Sequence, residues 1–290
     1  MYRVALQFAN GQVLFLGLTV SLIAATLVLL TRRPALRSVC NVVAILGAAL
    51  VVLSAAPLPL WVYALWLASL IAAGGCANPK AKAPLRLAWG SFVLLAASSL
   101  LLCAIEAPYH TTPRIAVPDG AKLYVIGDSL SIGADTQKQN WPELLGERLG
   151  LEVANYSFGG AEVGSALHNA RRVEEGCALV ILEIGGNDLL SRTDTDRFAC
   201  DLDEMLRIVS GPDHEVVMFE LPLPPFHNQY GRVQRRLAKS HDAALIPKRY
   251  LARILATPEA TIDGLHFSHE GHRMMADMIG GMVSAKSAAN

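Results

Sequence analysis

LYVIGDSLSIGAD, residues 123–135, decides how the rest of the chain is read. Leu123-Tyr-Val-Ile126 has the β-branched and aromatic texture of a buried strand, and Gly127-Asp128 is a turn signal that ends it. Ser129 therefore stands just beyond the carboxyl end of a strand, where ligand sites form in open parallel α/β sheets. A serine hydroxyl alone is a weak nucleophile and requires a neighbouring base.

The sequence downstream repeats this strand-then-turn texture. Apolar β-rich runs at 122–126, 151–154, 179–184, 215–220 and 243–246 alternate with helical patterns at 141–149, 162–173, 196–209, 230–239 and 269–283. Such alternation predicts a parallel sheet flanked by helices, within a domain spanning 119–290. Residues 106–118, with Pro108, Pro113 and Pro118, read as a linker into it.

What precedes the linker is different material. The chain has 290 residues, of which 52% are hydrophobic and only 17% charged. Its mean hydropathy of +0.36 is too apolar for one ordinary soluble domain. The excess is concentrated at 13–30, 39–56, 58–76 and 87–104, stretches without Asp, Glu, Lys or Arg. At about 1.5 Å rise per residue, roughly 18 residues cover most of a ~30 Å hydrocarbon core, so residues 1–105 read as four transmembrane helices. A buried soluble core would need helices with a polar face, which these lack. A cleaved leader is disfavoured for the first stretch, because Thr31-Arg32-Arg33 stands where small cleavage-site residues belong. Cys76 follows Gly74-Gly75 but lies too far into the chain to be a lipid-attachment cysteine.

Charge sets the expected orientation. Arg32, Arg33 and Arg37 lie between the first two stretches, and Lys80, Lys82 and Arg86 between the last two, whereas the Pro57-Leu58-Pro59 connection is uncharged. Positive loops face the cytoplasm, so both termini fall outside, in the periplasm of a bacterium with two membranes. Trp61, Tyr63, Trp66 and Trp89 fit interfacial belts. The formal net charge is zero, which gives no indication of a nucleic-acid partner. Five cysteines make no disulfide framework, since only Cys177 and Cys200 lie beyond the apolar region; these two belong to different ends of one strand–helix unit.

Four motifs follow one another in the domain: Gly127-Asp128-Ser129, Asn155-Tyr-Ser-Phe-Gly-Gly160, Gly185-Gly186-Asn187-Asp188 and Asp263-Gly264-Leu265-His266. In the last, two intervening residues let the Asp263 carboxylate hold the Nδ1–H of His266 while Nε2 faces Ser129, the arrangement that activates a serine. Attack on an acyl carbonyl also creates an oxyanion, for which the backbone N–H groups of Ser129 and Gly160 and the Asn187 carboxamide are the candidate donors. Each motif alone is an ordinary turn sequence, and their order makes the pattern specific.

In that order they resemble the SGNH, or GDSL, hydrolase family, whose initials correspond here to Ser129, Gly160, Asn187 and His266. Gly-Asp-Ser-Leu-Ser, Gly-Gly-Asn-Asp and Asp-Gly-Leu-His-Phe-Ser-His-Glu-Gly-His carry the likeness, while Ser157 replaces a glycine common in the second block. The resemblance implies a flavodoxin-like three-layer α/β/α fold and a serine esterase mechanism without metal or other cofactor. "ILEIGGND", residues 181–188, is similar to the arylesterase, lysophospholipase and thioesterase branch, whereas "FELPLPP", residues 219–225, departs from it.

The expected activity is cleavage of an acyl ester through an acyl-Ser129 intermediate. The substrate, lipid or acylated envelope carbohydrate, would be met near the bilayer, because a linker of about a dozen residues reaches no further than ~40 Å. Two other functions share the motifs: transfer of the acyl group to envelope polysaccharide, and an inactive binding module in a membrane complex. His266, His269 and His272 invite a metal reading, but His269-Glu270-Gly271-His272 is one residue short of the helical zinc motif. Arg171-Arg172 and the basic residues of 232–239 form patches that either are solvated helix faces or meet anionic headgroups.

Overall fold

A computed structural model describes residues 8–31, 33–77, 83–133 and 139–285. Arg32, Lys80, Lys82 and Asp135, used above, lie outside the described residues. The chain divides into two compact units, one built from residues 8–110 with Leu223–Asn228, the other from 111–222 and 229–285.

The first unit is helical: α1 (Val13–Leu30), α2 (Pro34–Leu53), α3 (Leu60–Cys76) and α4 (Leu85–Glu106). Three of these, α1, α2 and α4, are long and apolar enough to cross a membrane, whereas α3 has 17 residues and falls short of that length. Pro57 and Pro59 explain the shortening, since proline cannot continue a helix interior and α3 starts only at Leu60. Small residues let α1 and α2 cross closely: a Cβ on Gly17 would lie 2.7 Å from the Gly47 carbonyl. Between α3 and α4 the contact is polar, with Trp66 Nε1 donating to Ser99 Oγ at 2.9 Å and Ser69 bonded to Ser98 at 2.8 Å. Trp66 is thus fully buried, not in an interfacial belt, while Trp61 and Trp89 are exposed. Arg37 donates to the carbonyls of Thr31 and Ala77, which puts the carboxyl ends of α1 and α3 on one side.

The second unit contains a five-stranded parallel sheet of β2 (Lys122–Gly127), β3 (Val153–Asn155), β4 (Ala178–Glu183), β5 (His214–Phe219) and β6 (Ala244–Ile246), in the order β3-β2-β4-β5-β6. Around it run α5 (Ser129–Ile132), α6 (Trp141–Leu149), α7 (Val163–Ala170), α8 (Gly186–Ser191), α9 (Thr195–Val209), α10 (Asn228–Ser240), α11 (Lys248–Ala256) and α12 (His269–Gly280). Alternate strand residues serve opposite faces. Leu123, Val125, Leu179, Ile181, Val217 and Phe219 pack with Trp141 and Leu145 of α6, Leu251 of α11 and Met275 and Ile279 of α12. Buried Val163 and Ala166 of α7 and Phe198, Leu202 and Met205 of α9 belong to the other layer. The result is the expected three-layer α/β/α architecture, with α5, α8 and α11 additional to the helices that periodicity predicts.

Local chemistry fixes the element ends. Asn140 and Glu143 form a capping box at the start of α6, and Gly150 ends it in the left-handed region. The last helix stops at Gly280 instead of continuing to residue 283, because Val283–Ala285 becomes β7. It pairs in parallel with β1 (Ile115–Val117), a strand inside the segment expected to be only linker.

Candidate active site

The strand order puts β2 between β3 and β4, so the turns bearing Ser129, Gly160 and Asn187 leave three adjacent strands at their carboxyl ends. Ser129 is the first residue of α5, half-buried. Asp128 caps this helix, its Oδ1 accepting from Leu130 N at 2.9 Å. Gly127 permits the close approach of β2 and β4, since a Cβ there would lie 2.5 Å from Ser131 Oγ and 2.9 Å from the Glu183 carbonyl.

The β3 turn is tied to this corner by Phe158 N donating to the Gly127 carbonyl at 3.3 Å and by Asn155 Nδ2 donating to the Ser131 carbonyl at 2.8 Å. Gly160 is exposed with φ of +72°, a conformation that suits glycine, and nothing would obstruct a Cβ. The Ser157 hydroxyl, where a glycine is common, is buried and has no hydrogen-bond partner among the described residues.

Asn187 lies beside Asp128. Its Nδ2 donates to Asp128 Oδ2 at 3.1 Å and to the Ala161 carbonyl at 3.0 Å, which occupies both amide hydrogens. Donation to an oxyanion therefore requires one of these bonds to be exchanged. Asp188 next to it accepts from Val163 N, the first residue of α7, at 2.9 Å. Burial pushes the Asp188 carboxyl up to about 6, with the charges of Glu162 and Asp201 adding to it.

Asp263 and His266 share a loop closed by an antiparallel bridge between Thr261 and Phe267. Asp263 Oδ1 accepts from the backbone N–H of Leu265 and of His266, at 2.9 and 2.8 Å, while Oδ2 meets His266 Nδ1 at 2.6 Å. The His266 side chain first, and these amides next, hold the carboxyl well below the usual carboxylate range. With Nδ1 carrying the proton, Nε2 is left as an acceptor, the tautomer a general base needs. Among the described residues no hydrogen bond joins Ser129 to His266; burial raises the carboxyl of Asp128, next to Ser129, and a protonated His266 would lower it. Catalytic contacts of this kind tighten when substrate binds.

Two site features escape motif reading. Glu183, the last residue of β4, is buried behind Asp128 and accepts from Ser131 Oγ at 2.8 Å. A charged residue inside a fully buried strand was its signal. The second is an apolar rim: Ile132, Leu190, Ile262 and Leu265 are the four exposed large aliphatic side chains among the described residues of the sheet-containing unit. Ile132 is on α5 with Ser129, Leu190 on α8 with Asn187, and Ile262 and Leu265 flank Asp263.

The other histidines of the last motif serve elsewhere. His272 is buried, its Nδ1 accepting from Trp141 N at 3.3 Å, and burial pushes it down to about 4. Among the described residues no three His, Cys, Asp or Glu side chains are grouped to hold a metal ion. Cys177 and Cys200 are both exposed and free. The basic patch at 232–239 loses its centre, because Arg235 is buried with Nε 2.7 Å from Glu220. Arg171 pairs with Glu204 and Arg172 stacks on Tyr156.

A parallel three-layer sheet with a serine at one strand end and a histidine–aspartate pair in a neighbouring loop defines an α/β serine-hydrolase architecture. The chain belongs to the GDSL-like lipase/acylhydrolase family, whose model matches residues 125–274, and it is a carboxylic ester hydrolase. It is 27% identical over 172 residues to an arylesterase of Vibrio mimicus, covering 54% of this chain and 86% of that one. Esterase TesA of Pseudomonas aeruginosa is 32% identical over 139 residues, 43% of this chain and 69% of its own. Among solved structures, the crystal structure of TesA matches with a TM-score of 0.50 at 27% identity, covering 56% of this chain and 97% of that one.

Proposed function

We infer that this protein is a membrane-anchored serine esterase acting on acyl esters with a hydrocarbon chain, its hydrolase domain on the periplasmic side. The observation that carries the chemistry is the 2.6 Å contact between Asp263 and His266 Nδ1. Ser129 Oγ attacks the ester carbonyl carbon as His266 Nε2 takes its proton. The oxyanion is met by the N–H groups of Ser129 and Gly160 and by Asn187. The tetrahedral intermediate collapses, the C–O bond to the alcohol breaks, and His266 gives its proton to the departing oxygen. Water then attacks acyl-Ser129 with His266 as base, and the free acid leaves.

Substrate class is read from the rim. Isolated exposed apolar residues are ordinary, but here all four lie on the elements bearing the site. Such a rim suits an alkyl chain better than an acetylated sugar, and relatives named esterase, arylesterase and thioesterase 1/protease 1/lysophospholipase L1 support acyl-ester chemistry. The membrane region, 1–105, then serves as anchor, with α3 as a fourth, short span and 106–118 leading into the domain at 119–290. A bilayer location would bring amphiphilic esters to the site.

Ser129→Ala in the purified full-length chain is expected to abolish hydrolysis of p-nitrophenyl acyl esters and labelling by a fluorophosphonate. Undiminished turnover would remove Ser129 from the mechanism.

A further inference from the structure

Behind the nucleophile two carboxyl groups are buried side by side. Asp128 follows the last residue of β2 and Glu183 ends β4, and the β2–β4 register sets Gly127 opposite Glu183. Asp128 is 5% exposed and Glu183 3%. Two carboxylates buried together repel and have no donor between them, so one of the two keeps its proton.

The surroundings say which. Burial raises the Asp128 carboxyl, but the bonds it accepts from Leu130 N and Asn187 Nδ2 favour its ionised form, as would a protonated His266. Among the described residues no cation acts on Glu183; the Asp128 carboxylate opposes its ionisation, while Ser131 Oγ and the Asp128 backbone N–H favour it more weakly. From β5, Glu220 is engaged with Arg235 and Lys248. Burial first, and Asp128 next, raise the Glu183 carboxyl well above its ordinary range.

We propose that Glu183 is a positioning residue that works as a neutral acid: it donates its proton to Asp128, holds that carboxylate against Asn187 Nδ2, and keeps a second negative charge away from the oxyanion. The inference rests on the esterase reading of the site and adds a residue to it. Its consequence is twofold. Asp128, anchored by Glu183 and Leu130 N, fixes the plane of the Asn187 carboxamide, so one N–H is aimed while the other stays bonded. Loss of the Glu183 proton would place two carboxylates behind a developing oxyanion, and like charges at that distance oppose the transition state.

The test uses the full-length chain in detergent, with a p-nitrophenyl acyl ester, and compares wild type with Glu183→Gln and Glu183→Met. Glutamine keeps a donor for Asp128 and an acceptor for Ser131 but cannot ionise; methionine keeps approximate length and has neither. The expected result is kcat within about threefold of wild type for Gln at neutral pH, and a loss of roughly tenfold or more for Met with KM little changed. As pH rises far enough for Glu183 to lose its proton the wild-type kcat should decline, and the Gln profile should lack that decline. Superimposable wild-type and Gln profiles, or Gln as impaired as Met, would overturn the proposal. Fluorophosphonate labelling of Ser129 shows that each variant is folded, and a wild type that is neither labelled nor inactivated by Ser129→Ala would instead strike the esterase reading itself.

Discussion

Asn187→Ala is expected to lower kcat by about 30-fold and to leave KM within about twofold, a smaller loss than an oxyanion donor commonly gives. The magnitude comes from the bonds Asn187 already makes. Removing one preorganised oxyanion donor costs about 2.7–4 kcal/mol of transition-state stabilisation. Here both Nδ2 hydrogens are taken, one by Asp128 Oδ2 at 3.1 Å and one by the Ala161 carbonyl at 3.0 Å. To serve the oxyanion, Asn187 gives up one of them, at about 1 kcal/mol for an ordinary hydrogen bond. The Ala161 bond is the one to yield, because Asp128 is charged and charge-assisted bonds are the stronger. The net advantage is then about 2 kcal/mol, and at 1.36 kcal/mol per factor of ten this is about 30-fold. Steady-state kinetics on a soluble acyl ester, with active sites counted by fluorophosphonate titration, measures it. A loss under threefold, or one expressed in KM with kcat unchanged, would refute the exchange argument and take Asn187 out of the oxyanion site.

Three further outcomes follow from the geometry. Asp263→Asn, which presents an amide where Nδ1–H is held at 2.6 Å, should reduce kcat by at least about 100-fold with KM unchanged, and a milder loss would mean that the Asp263 charge is dispensable. Leu190→Ser should weaken kcat/KM for a decanoyl ester by about fivefold and leave an acetyl ester unaffected, since a rim contact is worth roughly 1 kcal/mol; equal effects on both esters would detach the rim from chain recognition. Asp188 and His272 oppose each other in acid. Asp188, raised to about 6 when folded, contributes stability that grows as pH falls toward 4, whereas His272, lowered to about 4, removes stability over the window below 6.5. Asp188→Asn leaves only the second, so thermal unfolding between pH 6.5 and 4.5 should show the variant losing about 2 kcal/mol more than wild type, and parallel pH dependences would contradict the burial of the Asp188 charge.

How much of this was legible in the sequence depends on how far each signal reaches along the chain. The five sheet strands were readable because each is a local apolar run bounded by turn residues, and Ser129, Asn187, Asp263 and His266 stood out because each sits in a turn motif at a strand or helix end. β1 and β7 were not readable: each has three residues, and their pairing joins positions 115 and 283, which no window of sequence brings together. Trp66 misled for a related reason, since an aromatic residue near a span end looks interfacial until Ser99 on another helix is seen to accept its N–H.

The same distinction separates the two parts of the site. Residues that would touch substrate reside on turns, and turns have a local grammar of glycine, aspartate, asparagine and serine. The network behind them depends on sheet register. Glu183 reads along the chain as one acidic residue in Leu-Glu-Ile, and only the pairing of Gly127 with Glu183 puts it behind Asp128. A glycine at 127 has its reason in the same pairing: it lets Ser131 Oγ and the Glu183 main chain close in. Motifs therefore name the groups that act on the ester, while the charge those groups work against, one negative unit shared by Asp128 and Glu183 and not two, is set by contacts between strands.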